Sequence, residues 1–285
     1  MSTLDHLALT LTDELFEQFR QLIYSKTGIY FQDNKRYLLE TRLGKRLLEL
    51  GYPDFKTYFD LLSRRNNPQE IPTCVNILTI NETFFFRAIR QFEILETEIL
   101  PKIVASRLKQ TKNVVRLWSA ACSSGEEAYT LAMILNERFK TRFPQVRFDI
   151  VGTDINTEVL ARAEEGVYSA YAIRNVPPAY LANYFKKEND LYHLSPEIKK
   201  MVRFRRLNLF DRAEMLGMSG IDIAFCANVL IYFDRQSKSQ AVTSIYNSIN
   251  PEGCFFLGYS ENLYGIEHGF VPLRMDGIMI YRRER

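Results

Sequence analysis

Apolar positions in the first third of the chain recur at helical spacing. Leu15, Phe16, Phe19, Leu22 and Ile23 fall on one face, which predicts an amphipathic helix over 12–24 with Gly28 as its stop. Similar stretches run over 35–50, ending at Gly51-Tyr52-Pro53, and over 55–62 and 71–80. Nothing among them alternates with the period of a strand, so residues 1–80 read as a small helical domain. From Val114 the pattern changes. Short apolar runs appear at 114–121, 148–154, 202–209, 221–226 and 254–259, with helical stretches at 126–139, 157–164 and 235–249 between them. Such alternation predicts a mostly parallel sheet with crossover helices. Runs at 271–275 and 278–281 flank Asp276-Gly277, a hairpin signal.

One interval breaks the alternation. Residues 166–200 are too many for a simple loop. Two short strand-like runs there, 184–187 and 191–194, flank Glu188-Asn189-Asp190. A small antiparallel β-subdomain, inserted at about 166–205, accounts for them. The fold class is therefore α/β. A helical domain (1–80) precedes a Rossmann-like domain (81–285) that carries the insert.

Composition narrows the classes without naming one. At 285 residues the length suits two domains. Hydrophobic content of 46% and charged content of 25% describe a globular chain, and a net charge of +3 is too small to argue for nucleic acid. No apolar run reaches the ~18 residues of a membrane span. Met1 to His6 carry no basic and apolar leader pattern, so a cytoplasmic location is expected. Cys74, Cys122, Cys226 and Cys254 are scattered in apolar contexts, which reads as buried free thiols. His6, His193 and His268 stand apart from them, so no metal site is expected.

The chemistry gathers where strands end. The first run exits through Cys122-Ser123-Ser124-Gly125-Glu126-Glu127, and the second ends in Asp154. A small turn after one strand and an acid after the next suit a nucleoside, the acid accepting from a ribose diol. Gly125 would let a ligand approach the backbone. One glycine is too few for a dinucleotide fingerprint, which disfavours a nicotinamide dehydrogenase. Two acids at the helix start favour a ligand with positive charge and no phosphate. The alternatives are local: Ser124 as a helix cap, and Asp154 or Asn156 as the cap of the next helix. Asn208 and Asn228 stand at the ends of later strands, with a turn role as the alternative for Asn208. Asn81-Glu82-Thr83-Phe84-Phe85-Phe86-Arg87 puts three aromatics between polar residues and fits neither a helix face nor a solvated linker, although Asn81 or Thr83 could cap a helix continuing to Ile99. Lys35, Arg36, Arg42, Lys45 and Arg46 lie along one predicted helix, with Arg42 and Arg46 on a common face.

Taken in order, these pieces resemble one family, the chemotaxis-receptor (CheR) methyltransferases. These are S-adenosylmethionine-dependent protein-glutamate O-methyltransferases. The matching segments are Asn81-x-Thr83-x-Phe85-Phe86-Arg87, Trp118-Ser119-Ala120-Ala121-x-Ser123-x-Gly125-Glu126-Glu127, Asp154-Ile155, Asn208-Leu209, Phe225-Cys226-x-Asn228-Val229-x-Ile231-Tyr232-Phe233-Asp234 and Gly258-x-Ser260-Glu261.

The resemblance implies that Asn81, Thr83, Arg87, Glu127, Asp154, Asn208, Leu209, Asn228 and Val229 line the site of S-adenosylmethionine and its product S-adenosylhomocysteine. It implies Arg87 and Tyr232 near the transferred methyl. It implies that the basic helix, through Arg42, Lys45 and Arg46, meets the cytoplasmic helices of methyl-accepting receptors. Relatives that bind a receptor's C-terminal pentapeptide carry a glycine-rich loop in the inserted hairpin. Here Lys186-Lys187-Glu188-Asn189-Asp190-Leu191 has none, so no tether is expected. The other expectations are a monomer, no metal, no nucleic acid and no membrane insertion. Two other functions share much of this pattern: a small-molecule carboxyl methyltransferase and a non-catalytic S-adenosylmethionine-binding module.

Overall fold

The computed structural model describes residues 10–64 and 69–284. Met1 to His6, and with them the leader reading and His6, lie outside the described residues. The chain divides into two compact units, residues 1–80 with Tyr232–Asp234, and the remainder from Asn81 onward.

The first unit is helical. Helix α1 (Asp13–Thr27) starts where the Thr12 side chain accepts from the Leu15 amide, and ends at Gly28. A 3-10 turn leads into α2 (Arg36–Leu50), which Gly51 stops. Helix α3 (Phe55–Ser63) is capped by the Asp54 carboxylate, and α4 (Glu70–Leu78) follows. Their apolar stripes close on one core, in which Phe19 packs against Phe55, Tyr58 and Phe59 while Leu39, Leu43 and Leu47 face inward from α2. Burying side chains of this size stabilises by about 1.5–3 kcal/mol each before the entropy of ordering them is counted. The three-residue segment 232–234 completes the unit. Phe233 bridges Ile29 antiparallel, the Tyr30 amide donates to the Tyr232 carbonyl, and the Tyr24 hydroxyl donates to Asp234.

Among the described residues the second unit has ten strands: β1 (Val114–Ala120), β2 (Arg147–Asp154), β3 (Val167–Ser169), β4 (Phe185–Glu188), β5 (Leu191–Leu194), β6 (Val202–Arg206), β7 (Ile221–Cys226), β8 (Ile249–Leu257), β9 (Phe270–Met275) and β10 (Ile278–Arg283). Seven form one sheet in the order β6-β2-β1-β7-β8-β10-β9. The first five positions are parallel, and the hairpin β9–β10 closes the edge antiparallel. Its turn residues Asp276 and Gly277 are both left-handed, the conformation that a two-residue hairpin requires. β1 and β7 are buried along nearly their whole length, as central parallel strands must be. The order reverses between β1 and β7, so loops leaving these two strands part and open a crevice at their C-terminal ends.

The insert is a three-stranded antiparallel sheet in the order β3-β5-β4. The sequence pattern showed β4 and β5 but not β3, which is three residues long. Helix also extends beyond the predicted stop at Ile99. A π-helical turn at Leu95–Ile99 runs directly into a helix over Leu100–Lys109, which carries Pro101 near its start.

Candidate active site

The crevice is built from strand ends. After β1 the backbone turns sharply: Ala121 and Ser123 are left-handed although neither is glycine, and Gly125 follows at φ 89°. Strain at two nearby non-glycine positions persists only where the surroundings fix it. Here they do. The Ser123 amide donates to Asp154 Oδ2 at 2.9 Å, and its hydroxyl donates to the Asn81 carbonyl at 3.0 Å. The turn after β1 is thereby tied both to the end of β2 and to the segment beginning at Asn81.

Gly125 serves packing. A Cβ there would meet Ala163 Cβ at 2.9 Å and the Phe204 ring at 3.0 Å, so its open side faces the core. Gly125 is itself the N-cap of the helix Glu126–Ile134, and the Ser124 hydroxyl bonds Glu126 instead of capping.

Asp154 is 5% exposed. Burial raises its pKa, and amide bonds from Asn156 and Ser123 oppose the rise. It does not cap the next helix; Asn156 does, accepting from Glu158 and Val159. These amides, with that of Ile155, occupy only part of a carboxylate's accepting capacity. Glu127, in the first turn of its helix, accepts from the Ser119 hydroxyl at 2.6 Å. It keeps an opening to solvent, although protein encloses it closely. Burial pushes its pKa up to about 7, the bond from Ser119 opposes this, Glu261 adds to it and Arg87 lowers it. Buried Glu126 is likewise pushed up to about 7. The Cys122 and Cys226 thiols rise well above their ordinary value through burial, with nearby carboxylates adding to it, and so stay protonated.

Glu261 was not singled out for chemistry in the sequence. Its carboxylate collects four backbone amides: Asn228 (2.6 Å) and Gly258 (2.9 Å) on one oxygen, Val229 (3.0 Å) and Ile231 (3.3 Å) on the other. This holds the turn after β7, where Asn228 is left-handed at φ 63°. A Cβ at position 258 would sit 2.7 Å from Glu261 Oε2, so only glycine fits there. The amides of Asn228 and Val229 are thus already engaged.

Asn208 has the turn role weighed as its alternative, its Oδ1 accepting from the Phe210 amide at 3.0 Å; Leu209 beside it is buried. Neither Asn81 nor Thr83 caps a helix, because the helix starts at Ile89. The Phe85 side chain is fully buried and Phe86 nearly so, which explains two of the three consecutive aromatics. Arg87 is exposed; its guanidinium donates to the Glu82 carbonyl at 2.9 Å and lies over the Phe84 ring. Tyr232 belongs to the helical unit.

The basic helix differs from its expected picture. Arg42 and Arg46 do share a face, but that face packs on α4. Arg42 donates to the carbonyls of Ile77, Leu78 and Thr79, satisfying the end of α4. Arg46 makes a two-pronged pair with buried Glu70, at 3.0 and 2.9 Å, and the Tyr58 hydroxyl donates to the same carboxylate. Burial pushes the Glu70 pKa up, but these bonds outweigh it and leave the value lowered. Lys45 stays exposed, as do Tyr37, Thr41 and Leu48 at helical spacing beside it.

Whether this crevice fits S-adenosylmethionine turns on its charge. Among the described residues, none of Glu126, Glu127, Asp154 and Glu261 forms an ion pair, yet all stand at the same end of the sheet. Buried carboxylates without a cation are costly. A ligand bringing a sulfonium, an ammonium and a ribose diol supplies the missing charge and donors, so the residues fit. Among the described residues, no group of three or more His, Cys, Asp or Glu is arranged to hold a metal ion.

Comparison with known proteins agrees. Residues 81–277 match the family described as CheR methyltransferase, SAM binding domain, and residues 14–79 match CheR methyltransferase, all-alpha domain. A chemotaxis protein methyltransferase 2 of Vibrio cholerae serotype O1 is 40% identical over 263 residues, covering 92% of this chain and 90% of that one. The chemotaxis protein methyltransferase of Escherichia coli is 34% identical over 268 residues, covering 92% and 89%. That of Borreliella burgdorferi is 31% identical over 261 residues, covering 91% and 92%. Both units are matched, and relatives align over about nine-tenths of their length: the chain belongs to the CheR methyltransferase family.

Proposed function

We propose that this chain methylates glutamate side chains of methyl-accepting chemotaxis receptors, forming methyl esters. The observation that carries the reading is the set of unpaired carboxylates at the ends of β1 and β2, which calls for a cationic nucleoside ligand. The names of the relatives supply the chemotaxis context. Bound there, S-adenosylmethionine supplies a methyl group activated by its sulfonium charge.

The residues of the chain bind and orient. Asp154 takes the ribose hydroxyls, and Glu127 faces the cationic methionine end. Asn81, Thr83, Asn208, Leu209, Asn228 and Val229 line the remainder. A glutamate carboxylate, with an ordinary pKa of about 4.3, is already ionised at neutral pH, so no general base is required. Arg87 holds the incoming carboxylate by charge-assisted bonds. Alignment and exclusion of water then supply the acceleration.

Receptor contact falls to the exposed face of α2, with Lys45 as its cation. Arg42 and Arg46 are committed to α4 and support that face from behind. The outer strand β4 of the insert carries Lys186 paired with Glu188 at 2.7 Å. Charge on an edge strand discourages a peptide from adding to it, which supports action without a pentapeptide tether. A cytoplasmic monomer completes the reading; no described helix is long and apolar enough to cross a membrane.

The test is incubation with methyl-labelled S-adenosylmethionine, receptor cytoplasmic fragments and, separately, small carboxylic acids. Base-labile label on receptor glutamates is the expected result. Label only on small acids, or none on either while the ligand binds, would replace this function with one of the two alternatives.

A further inference from the structure

The large sheet carries a group of cations on one face. Arg116 of β1 lies level with Asp149 of β2, and Val151 of β2 lies level with Arg203 of β6. Side chains alternate across a strand, so Arg116, Arg147, Asp149, Arg203 and Arg205 point to the same side. The contacts agree: Arg203 meets Asp149 at 2.6 Å and Arg116 meets it at 3.5 Å. All four arginines are exposed. Asp149 is the acid between them, and among the described residues Arg147 and Arg205 form no ion pair.

Two of these arginines frame the loop 216–220, which leads into the start of β7. Arg205 donates to the Gly217 carbonyl at 3.4 Å. At the other end of the loop, a Cβ on Gly220 would meet Arg116 Nη1 at 2.8 Å, and Gly220 is left-handed at φ 70°. Met218 is buried and holds the loop to the protein. Leu216, by contrast, stands 85% exposed, the most exposed large aliphatic side chain among the described residues. A leucine therefore projects from a loop that guanidinium groups touch at both ends.

Charge on the outer strand β6 would by itself guard a sheet edge. Arg116 and Arg147 stand on the interior strands β1 and β2, where no edge needs guarding. Guarding also does not call for an exposed leucine. A purely acidic polypeptide would pair with the cations and leave Leu216 in water. A layer of anionic headgroups over hydrocarbon meets both features. Guanidinium forks take phosphate oxygens, and the leucine enters the acyl boundary.

We propose that this face, with Arg116, Arg147, Arg203 and Arg205 beside Leu216, is a docking surface for an anionic lipid membrane, engaged reversibly and with no segment spanning it. The loop 216–220 enters the N-terminal end of β7, so docking there leaves the crevice at the C-terminal strand ends uncovered. The surface adds a partner to the molecule and does not depend on which carboxylate is methylated.

The test is sedimentation of the full chain with vesicles of phosphatidylcholine alone and of phosphatidylcholine mixed with phosphatidylglycerol. Binding is expected to the mixed vesicles and not to the neutral ones, and it should fall as salt rises. Arg147→Gln and Arg205→Gln should each lower the partition coefficient by about fivefold, the effect of one cation near an anionic surface. Leu216→Ser should lower it at high salt as well as low, because an apolar contact is not screened. Leu216→Trp, with Tm kept, should tighten it. No preference for the mixed vesicles would overturn the assignment, as would binding that none of these substitutions alters. Capture of soluble polyglutamate that depends on Arg147 and Arg205, with no vesicle binding, would give the face to an acidic protein instead.

Discussion

Replacing Glu261 by glutamine should damage this protein far more than a change of one atom suggests. Each Glu261 oxygen accepts two backbone amides, Asn228 and Gly258 on one and Val229 and Ile231 on the other. Glutamine keeps one oxygen. Whichever way its amide turns, the NH2 group must face a pair of N–H donors. Two amides then lose their partner in a site that is 8% exposed. A buried donor left unsatisfied costs about 1–3 kcal/mol. Relaxation of the turn recovers part of this, so roughly 3 kcal/mol is expected from the two. For a chain of this size, 1 kcal/mol shifts the midpoint by about 2–4 °C, so the apparent Tm should fall by about 6–12 °C. The same turn carries Asn228 and Val229, so affinity for S-adenosylhomocysteine should fall with it. Scanning calorimetry and titration calorimetry on Glu261→Gln and Glu261→Asp read both quantities. Aspartate keeps both oxygens on a shorter arm and should retain more stability than glutamine. A Glu261→Gln protein with wild-type Tm and affinity would refute the reasoning, because four charge-assisted bonds would then hold nothing.

Three further outcomes follow from the same geometry. Asp154→Ala should weaken S-adenosylhomocysteine binding by about 1.5–3 kcal/mol for each ribose bond lost, and titration calorimetry on the folded variant checks it. Glu127 titrates near 7 in the folded protein, above the ordinary carboxyl value of 4.5. Its protonated form is the one burial favours, so its contribution to stability is full below about 4.5 and is lost as pH rises through about 7. A cationic ligand favours the ionised form instead. S-adenosylmethionine affinity should therefore climb between pH 6 and 8, and in Glu127→Gln the climb should shrink to what Glu126 contributes. Lys45→Glu should raise KM for receptor without moving Tm, an effect that added salt diminishes because exposed charges are screened within about 8 Å. Arg46→Glu should by contrast strand buried Glu70 and cost about 3–5 kcal/mol of stability, read by urea unfolding.

The parts of the fold set by local pattern were legible before any coordinates. Helices α1 to α3 follow from apolar spacing, with Gly28 and Gly51 ending the first two. The final hairpin follows from Asp276-Gly277. Strand β3 was hidden because three residues carry no period. The helix over Leu100–Lys109 was hidden because Pro101 reads as a stop unless the preceding turn is known to be continuous. In the crevice, Asp154 was visible as an acid ending an apolar run. Glu261 was invisible in that role, because three of its four amides lie 30 to 33 residues away in sequence. Its only local sign was Gly258, three residues before it. Arg42 and Arg46 show the opposite limit. Spacing correctly put them on one face, but a helix of mixed character does not say whether its cations face water or a neighbouring helix. The Glu70 carboxylate and the open carbonyls of α4 decided that.

The three aromatics at 84–86 bear on how enzymes of this build can be recombined. Phe85 packs edge-on against Tyr168 of β3 at 4.7 Å and against Phe185 of β4 at 5.2 Å, while Phe84 meets Tyr171 at 6.4 Å. Tyr168 in turn donates to the Ser124 carbonyl at the turn after β1. The insert, although it interrupts the chain some eighty residues later, is therefore a wall of the pocket that receives the 81–87 segment. It is not an accessory that can be exchanged by itself. A chimaera that swaps only the residues between β3 and β5 for those of a relative would leave Phe85 facing a foreign surface, with Arg87 and Phe84 displaced in consequence. Grafts that move the 81–87 segment and the insert together keep the contact whole, and recombination breakpoints between them should be the ones that survive least often.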